Sequence, residues 1–178
     1  LIDYGKRIIK ARRDFCAKAG VFARKNHELI TGGKEDFTAE YRPNCTEEDL
    51  EDKLKSSLER DIFTGSTGHG PHKDDMAFYG DGSDVRIFGS QGQQRTAALC
   101  LKLAEIDIIK EETGITPVML LDDVLSELDE NRQNFLLDMT KGIQSLITCT
   151  GIEDSVKKYT GEAALFKVKN GEAKRFEI

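Results

Sequence analysis

The stretch Val118-Met119-Leu120-Leu121-Asp122-Asp123-Val124-Leu125-Ser126-Glu127-Leu128-Asp129 decides the fold class. Four large apolar residues run directly into two carboxylates, and a short loop with further acids follows. A brief apolar run closed by polar residues reads as a buried strand, here residues 117–122. Upstream, Gly89-Ser90-Gln91-Gly92-Gln93-Gln94-Arg95 opens a helical pattern that runs from Gln91 to Thr113 and stops at Gly114. Downstream, residues 130–141 read as a helix and residues 143–149 as another strand. Strands alternating with helices make this half of the chain α/β.

A carboxylate at the C-terminal end of a buried parallel strand is placed to hold Mg²⁺, usually through water, and Asp122 has that position. Asp123 points to the other side of the strand, where it suits orienting or deprotonating a water. A strand that simply ends in solvent with polar residues fits the same pair. Asp129 fits a cap on the helix that follows. Ser90 stands where a hairpin hands over to a helix start, with its unpaired N–H groups and positive dipole end. Gly89 and Gly92 let backbone approach an anion closely. This is phosphate-binding chemistry without a lysine, although an ordinary serine N-cap in a glycine turn has the same appearance.

Residues 1–30 read as one long helix. Leu1, Ile8, Phe15, Phe22 and Leu29 recur every seven residues, with Ile2, Ile9, Cys16, Ala23 and Ile30 beside them, and together they define the expected apolar stripe. Lys6, Lys10, Arg13 and Arg24 fall within an arc of roughly 60° away from it. Such a face suits a DNA backbone, and equally a solvated surface. Gly32-Gly33 ends the helix, and residues 36–42 read as a strand running into Pro43. Thr46 and Asp49 have capping-box spacing for a second helix whose expected buried face is Leu50, Leu54, Leu58 and Ile62. The Gly/Ser/Thr-rich residues 63–70 mark a boundary between a mainly helical arm, residues 1–66, and an α/β lobe, residues 67–178. Residues 75–79 and 84–88 alternate around Gly80-Asp81-Gly82 as a hairpin. A short helix near residues 153–159 and a closing hairpin, residues 164–169 and 173–177 around Asn170-Gly171, complete the pattern.

Bulk properties narrow the partners. A net charge of −6 gives no global reason to bind nucleic acid, so any DNA contact must be a local patch. The 38 % apolar content can build a core, but no run approaches the roughly 20 residues that span a bilayer. Cys16, Cys45, Cys100 and Cys149 are widely spaced and read as reduced cytosolic thiols. The chain begins at Leu1 without an initiating Met, from which a fragment is expected.

The glycine turn, the acid-ended strand and the acidic loop, in that order, resemble the signature sequence, Walker B strand and D-loop of ABC-type ATPases. Gly70-Pro71-His72-Lys73-Asp74-Asp75, Phe88-Gly89-Ser90-Gln91-Gly92-Gln93-Gln94-Arg95-Thr96-Ala97 and residues 120–129 sharpen the likeness to the C-terminal half of the RecF family, bacterial DNA repair and replication proteins. Tyr41-Arg42-Pro43 and the long opening helix fit that family's arm, so the resemblance covers most of the chain. It implies the C-terminal lobe of an ABC-type P-loop ATPase head plus a mainly helical arm.

The resemblance also implies roles. Ser90, Gln91, Gly92 and Gln93 would meet the ATP held by a second protomer, so that ATP makes the homodimer. Asp122 would hold Mg²⁺, Asp123 would serve the attacking water, and Asp129 would cross the dimer interface. ABC proteins generally place Glu where Asp123 stands, and the shorter acid fits slow, switch-like hydrolysis. Many relatives carry a switch histidine after the next strand; this chain has Thr148-Cys149-Thr150 there, and Thr148 or Thr150 is the substitute sensor. The intact protein would be cytoplasmic, bind single-strand gaps and junctions in DNA, load recombinase with RecO and RecR, and support the SOS response. This chain has no G-x-x-x-x-G-K-[ST] to cradle phosphates, so alone it is expected to be inactive. An SMC-like or transporter-type ATPase head is one rival, and a non-hydrolysing protein or DNA interaction module is another. His72 beside Asp74 and Asp75 reads as a docking turn rather than a metal site, His69 has no assigned role, and Arg95 suits either an ion pair or a phosphate.

Overall fold

Helix α1, Ile2–Thr31, runs until Gly32 adopts φ 66° and returns its N–H to the Glu28 carbonyl. The computed structural model describes residues 1–150 and 163–176, so the short helix expected near residues 153–159, and Glu177, lie outside the described residues. The chain forms an α/β fold that divides into two compact units, Leu1–Ile115 and Thr116–Ile178.

The first unit contains α1, strand β1 (Phe37–Arg42), α2 (Leu50–Thr64), β2 (Asp75–Gly80), β3 (Ser83–Asp84), a one-turn helix α3 (Val85–Phe88) and α4 (Gln91–Thr113). Its core joins Ala23 of α1, Phe37 of β1, Val85 of α3 and Ala97, Cys100 and Ala104 of α4. Small side chains on α1 and α4 let the two helix backbones approach closely. That preference reverses half of the expected stripe. Ile9, Cys16 and Ala23 are buried, whereas Leu1, Ile8, Phe15 and Leu29 are exposed, because the row of smaller residues forms the contact face.

Helix α2 also departs from expectation. Leu50 is buried and Leu54 packs beside it on Ile9 and Cys45, but Leu58 and Ile62 are exposed. Its start follows the expected chemistry: the Thr46 hydroxyl accepts the Asp49 N–H at 3.2 Å and the Asp49 carboxylate accepts the Thr46 N–H at 2.6 Å.

Strands β1 and β2 pair antiparallel from Phe37 opposite Gly80 to Arg42 opposite Asp75, with β3 on the other edge of β2. Of the strand expected over residues 84–88 only Asp84 remains in a strand, and residues 85–88 form α3. Asp84 caps the Arg86 N–H at 2.9 Å and turns the chain into α3, which buries Val85. Because β1 pairs with β2 and α1 packs on α4, residues on both sides of the 63–70 turn share one core, and the division into compact units falls at Ile115.

In the second unit, β4 (Met119–Asp122) lies parallel to β5 (Ser145–Thr148), connected through helix α5 (Glu130–Met139). Leu125, Leu128, Leu136 and Leu137 are buried with Met119. Both strands are shorter than the sequence suggested, four residues each. Strands β6 (Leu165–Lys169) and β7 (Glu172–Phe176) form the closing hairpin, where Asn170 at φ 53° and Gly171 at φ 80° supply the two left-handed residues of its tight turn.

Candidate nucleotide and magnesium site

Ser90 caps α4, and Gln93 closes a capping box with it. Its hydroxyl accepts the Gln93 N–H at 3.3 Å, while the Gln93 side-chain oxygen accepts the Ser90 N–H at 2.9 Å. Gln94 donates to the carbonyls of Gly89 at 3.1 Å and Arg86 at 3.3 Å, folding α3 back on the start of α4. Gly89 sits so close that an added Cβ would meet the Val85 carbonyl oxygen at 2.4 Å. The turn therefore needs glycine for close approach, at an ordinary φ of −71°. The serine-cap reading is thus seen directly, with the Ser90 and Gln93 N–H groups both taken up inside the capping box at an exposed helix start.

Asp122 ends β4 opposite Thr148 of β5. The Thr148 hydroxyl donates to the Asp122 carboxylate, and the Asp123 N–H donates to Thr148 Oγ1 at 3.1 Å and to the Thr148 carbonyl at 3.2 Å. Asp123 itself adopts φ 51°, a left-handed conformation that Asp tolerates better than most residues. Sequence reasoning ended the strand at residue 122 and put the two acids on its opposite sides by strand alternation. The strand does end at Asp122, and the left-handed turn takes Asp123 out of the strand's alternation.

Asp129 caps α5, its carboxylate accepting the Arg132 N–H at 3.0 Å and pairing with the Arg132 guanidinium. Gln133, which sequence reasoning passed over, is buried and donates to the carbonyls of Leu125 at 2.8 Å and Leu128 at 3.0 Å. It holds the loop between Asp123 and Asp129 in shape. A polar residue one turn after an N-cap, in an otherwise apolar face, was its only signal.

Ser90, Gln91, Gly92 and Gln93 belong to the first unit, and Asp122, Asp123 and Asp129 to the second. Among the described residues no group of three or more His, Cys, Asp or Glu could hold a metal by protein ligands alone. Asp122 still fits Mg²⁺, which keeps most of its waters and needs one or two carboxylates beside phosphate oxygens. At the start of α4 an anion would meet the helix dipole end and the first-turn N–H groups outside the capping box.

The basic arc of α1 is internally compensated. Lys10 pairs with Asp14 at 2.7 Å, Arg24 with Asp36 at 3.0 Å, and Arg13 with Glu47. The Lys55 hydrogen bond and charge hold the Glu51 carboxyl below its usual range, and Lys6 adds a smaller pull in the same direction. His72 meets the Thr67 carbonyl at 2.8 Å, whereas Asp74 is nearly enclosed, its side chain 2 % exposed. Asp74 accepts the Tyr41 hydroxyl, the Asn44 N–H at 2.9 Å and Arg12 at 3.3 Å. The turn before β2 is thus built on Asp74.

No protein-family model matches the chain. It is 47 % identical over 171 residues to the DNA replication and repair protein RecF of Lachnospira eligens, covering 96 % of this chain and 47 % of that protein. The RecF of Lachnoclostridium phytofermentans is likewise 47 % identical over 171 residues, with 96 % of this chain and 48 % of that protein covered. A solved structure described as the recombination mediator protein RecF-ATP in the RecFOR pathway superposes at a TM-score of 0.79, with 39 % identity over 99 % of this chain and 49 % of the other. The chain spans about half the length of the curated relatives it matches. With this identity sustained along almost its whole length, and with the signature-like turn and acid-ended strand in place, the chain belongs to the RecF family.

Proposed function

We propose that this chain supplies the signature and Walker B half of an ATP-dependent DNA-binding protein of recombinational repair and replication. The observation that carries the reading is Asp122 and Asp123 at the end of a parallel strand, tied to Thr148 of its neighbour. The capped helix start at Ser90 supports it, as do relatives named for DNA replication and repair and a solved RecF-ATP chain. Ser90, Gln91, Gly92 and Gln93 bind the nucleotide of a second protomer, Asp122 holds Mg²⁺ through water, and Asp129 lies at the dimer interface. Asp123 orients the attacking water and takes its proton at the carboxylate. Bound Mg²⁺ neutralises charge that develops on the phosphates. Lys6, Lys10, Arg13 and Arg24 meet the DNA backbone. The intact protein is cytoplasmic, forms its homodimer with ATP on gapped DNA, and loads recombinase with RecO and RecR.

The rival is a non-hydrolysing interaction module, which draws on the capping roles of Ser90 and Asp129. Asp123→Asn in a full-length RecF-type protein separates the two. ATP-driven dimerisation should persist while turnover is lost, and loss of both together would count against the role of Asp123.

A further inference from the structure

Thr148 is shared by both acids. It sits opposite Asp122 in the β4–β5 register, gives its hydroxyl proton to Asp122 Oδ1 and receives the Asp123 N–H at 3.1 Å. A hydroxyl has one proton to donate, so bonding to Asp122 leaves its lone pairs for Asp123. The Asp123 peptide is held from its other end too, where Ser126 Oγ donates to the Asp123 carbonyl at 2.8 Å. Between these two ties the backbone stands at φ 51°, outside the region most residues prefer. A non-glycine residue held there persists only where its surroundings over-determine it.

Resting on the ATPase reading above, we infer that Thr148 is a positioning residue for hydrolysis, one hydroxyl that fixes the Asp122 carboxylate and the Asp123 turn together. This is a different role from sensing the γ-phosphate: the hydroxyl acts on the two acids and not on the nucleotide. Its strand position serves the role, because a β-branched residue at the end of β5 has a restricted χ1 and so a restricted hydroxyl direction. Loss of the hydroxyl removes the bond to the Asp122 carboxylate and one of the two acceptors of the Asp123 N–H, leaving the Thr148 carbonyl at 3.2 Å as the other. Loss of the Asp122 carboxylate leaves Thr148 its bond from the Asp123 N–H, and replacing the Asp123 side chain leaves both bonds in place, since Asp123 takes part through its backbone.

The test is a full-length RecF-type protein carrying this chain, as wild type, Thr148→Val and Thr148→Ser. Valine keeps the shape without the hydroxyl, and serine keeps the hydroxyl without the methyl. Thr148→Val should lower kcat by about 10- to 100-fold with the KM for ATP within about 3-fold, the signature of misplacement rather than lost binding. It should still dimerise with ATP in sedimentation, and Thr148→Ser should restore most of the turnover. Hydrogen exchange of the peptide spanning Asp123 should rise about 10-fold or more in Thr148→Val and stay near wild type in Thr148→Ser, independently of activity. Equal turnover and equal exchange in wild type and Thr148→Val would overturn the positioning role alone. A wild type that neither hydrolyses ATP nor dimerises with it overturns the ATPase reading, and the role of Thr148 in hydrolysis with it.

Discussion

Tyr41 donates its hydroxyl proton to Asp74 across 33 residues of sequence, joining the end of β1 to the turn before β2. The same carboxylate gathers Arg12 of α1 and the backbone of Asn44. One enclosed acid thus ties together three segments of the first unit, and removing it should be felt in all of them.

Asp74→Ala leaves Tyr41, Arg12 and the Asn44 N–H without their shared acceptor. Breaking an enclosed, charge-assisted network of this kind costs about 2–4 kcal/mol. Urea denaturation of the chain should show that loss with little change in m. A loss under about 0.5 kcal/mol, typical of a surface substitution, would mean the network is solvated.

Tyr41 also sets an alkaline limit. Burial first, then its bond to Asp74 and that carboxylate's charge, push the phenol above its ordinary value of 10.0. A group whose folded pKa is raised stabilises fully below its unfolded value and loses that contribution as pH rises toward the folded one. Stability should therefore fall above about pH 10, and Tyr41→Phe should flatten the decline between about pH 10 and 12. A series of thermal melts across that range reads the difference.

Gly89→Ala places a methyl where the Val85 carbonyl oxygen stands, 2.4 Å from the new carbon. Either α3 or the start of α4 must shift, at a cost of about 1–3 kcal/mol. In a full-length protein the substitution should weaken ATP-driven dimerisation as well as stability. Unchanged dimerisation would separate the glycine from the signature.

On the basic arc, Lys10 and Arg13 each already hold a carboxylate, so binding DNA means exchanging Asp14 and Glu47 for phosphates. If they do make that exchange, replacing both by Gln should lower the slope of log affinity against log salt by about 1.5–2. Fluorescence anisotropy at several salt concentrations measures it, and an unchanged slope would return the arc to solvent.

The sequence made the elements readable where a local rule fixed them. Thr46 with Asp49, Ser90 as a helix cap and Asn170-Gly171 as a hairpin turn all adopt the expected geometry. What stayed hidden depended on partners distant in the chain. Nothing local distinguishes the Ile9–Cys16–Ala23 row from the Ile8–Phe15 row; the close approach of α4 selects the smaller one. Asp74 and Gln133 were illegible for the same reason, since their value lies in carbonyls and donors brought to them by folding. At the candidate site, the acids could be found by their strand. Thr148 could be placed near them only in outline, because the register of β5 against β4 decides which hydroxyl meets which acid.

The central claim is that Ser90 works across a dimer and not merely as a helix cap. Sedimentation of a full-length RecF-type protein with ATP and Mg²⁺ tests it, comparing wild type, Ser90→Ala and Ser90→Arg. Losing the cap alone costs about 1 kcal/mol and should leave dimerisation largely intact in Ser90→Ala. Ser90→Arg should bind ATP yet stay monomeric while the wild type dimerises. Dimerisation of Ser90→Arg at the wild-type ATP concentration would contradict the claim and leave Ser90 as a cap.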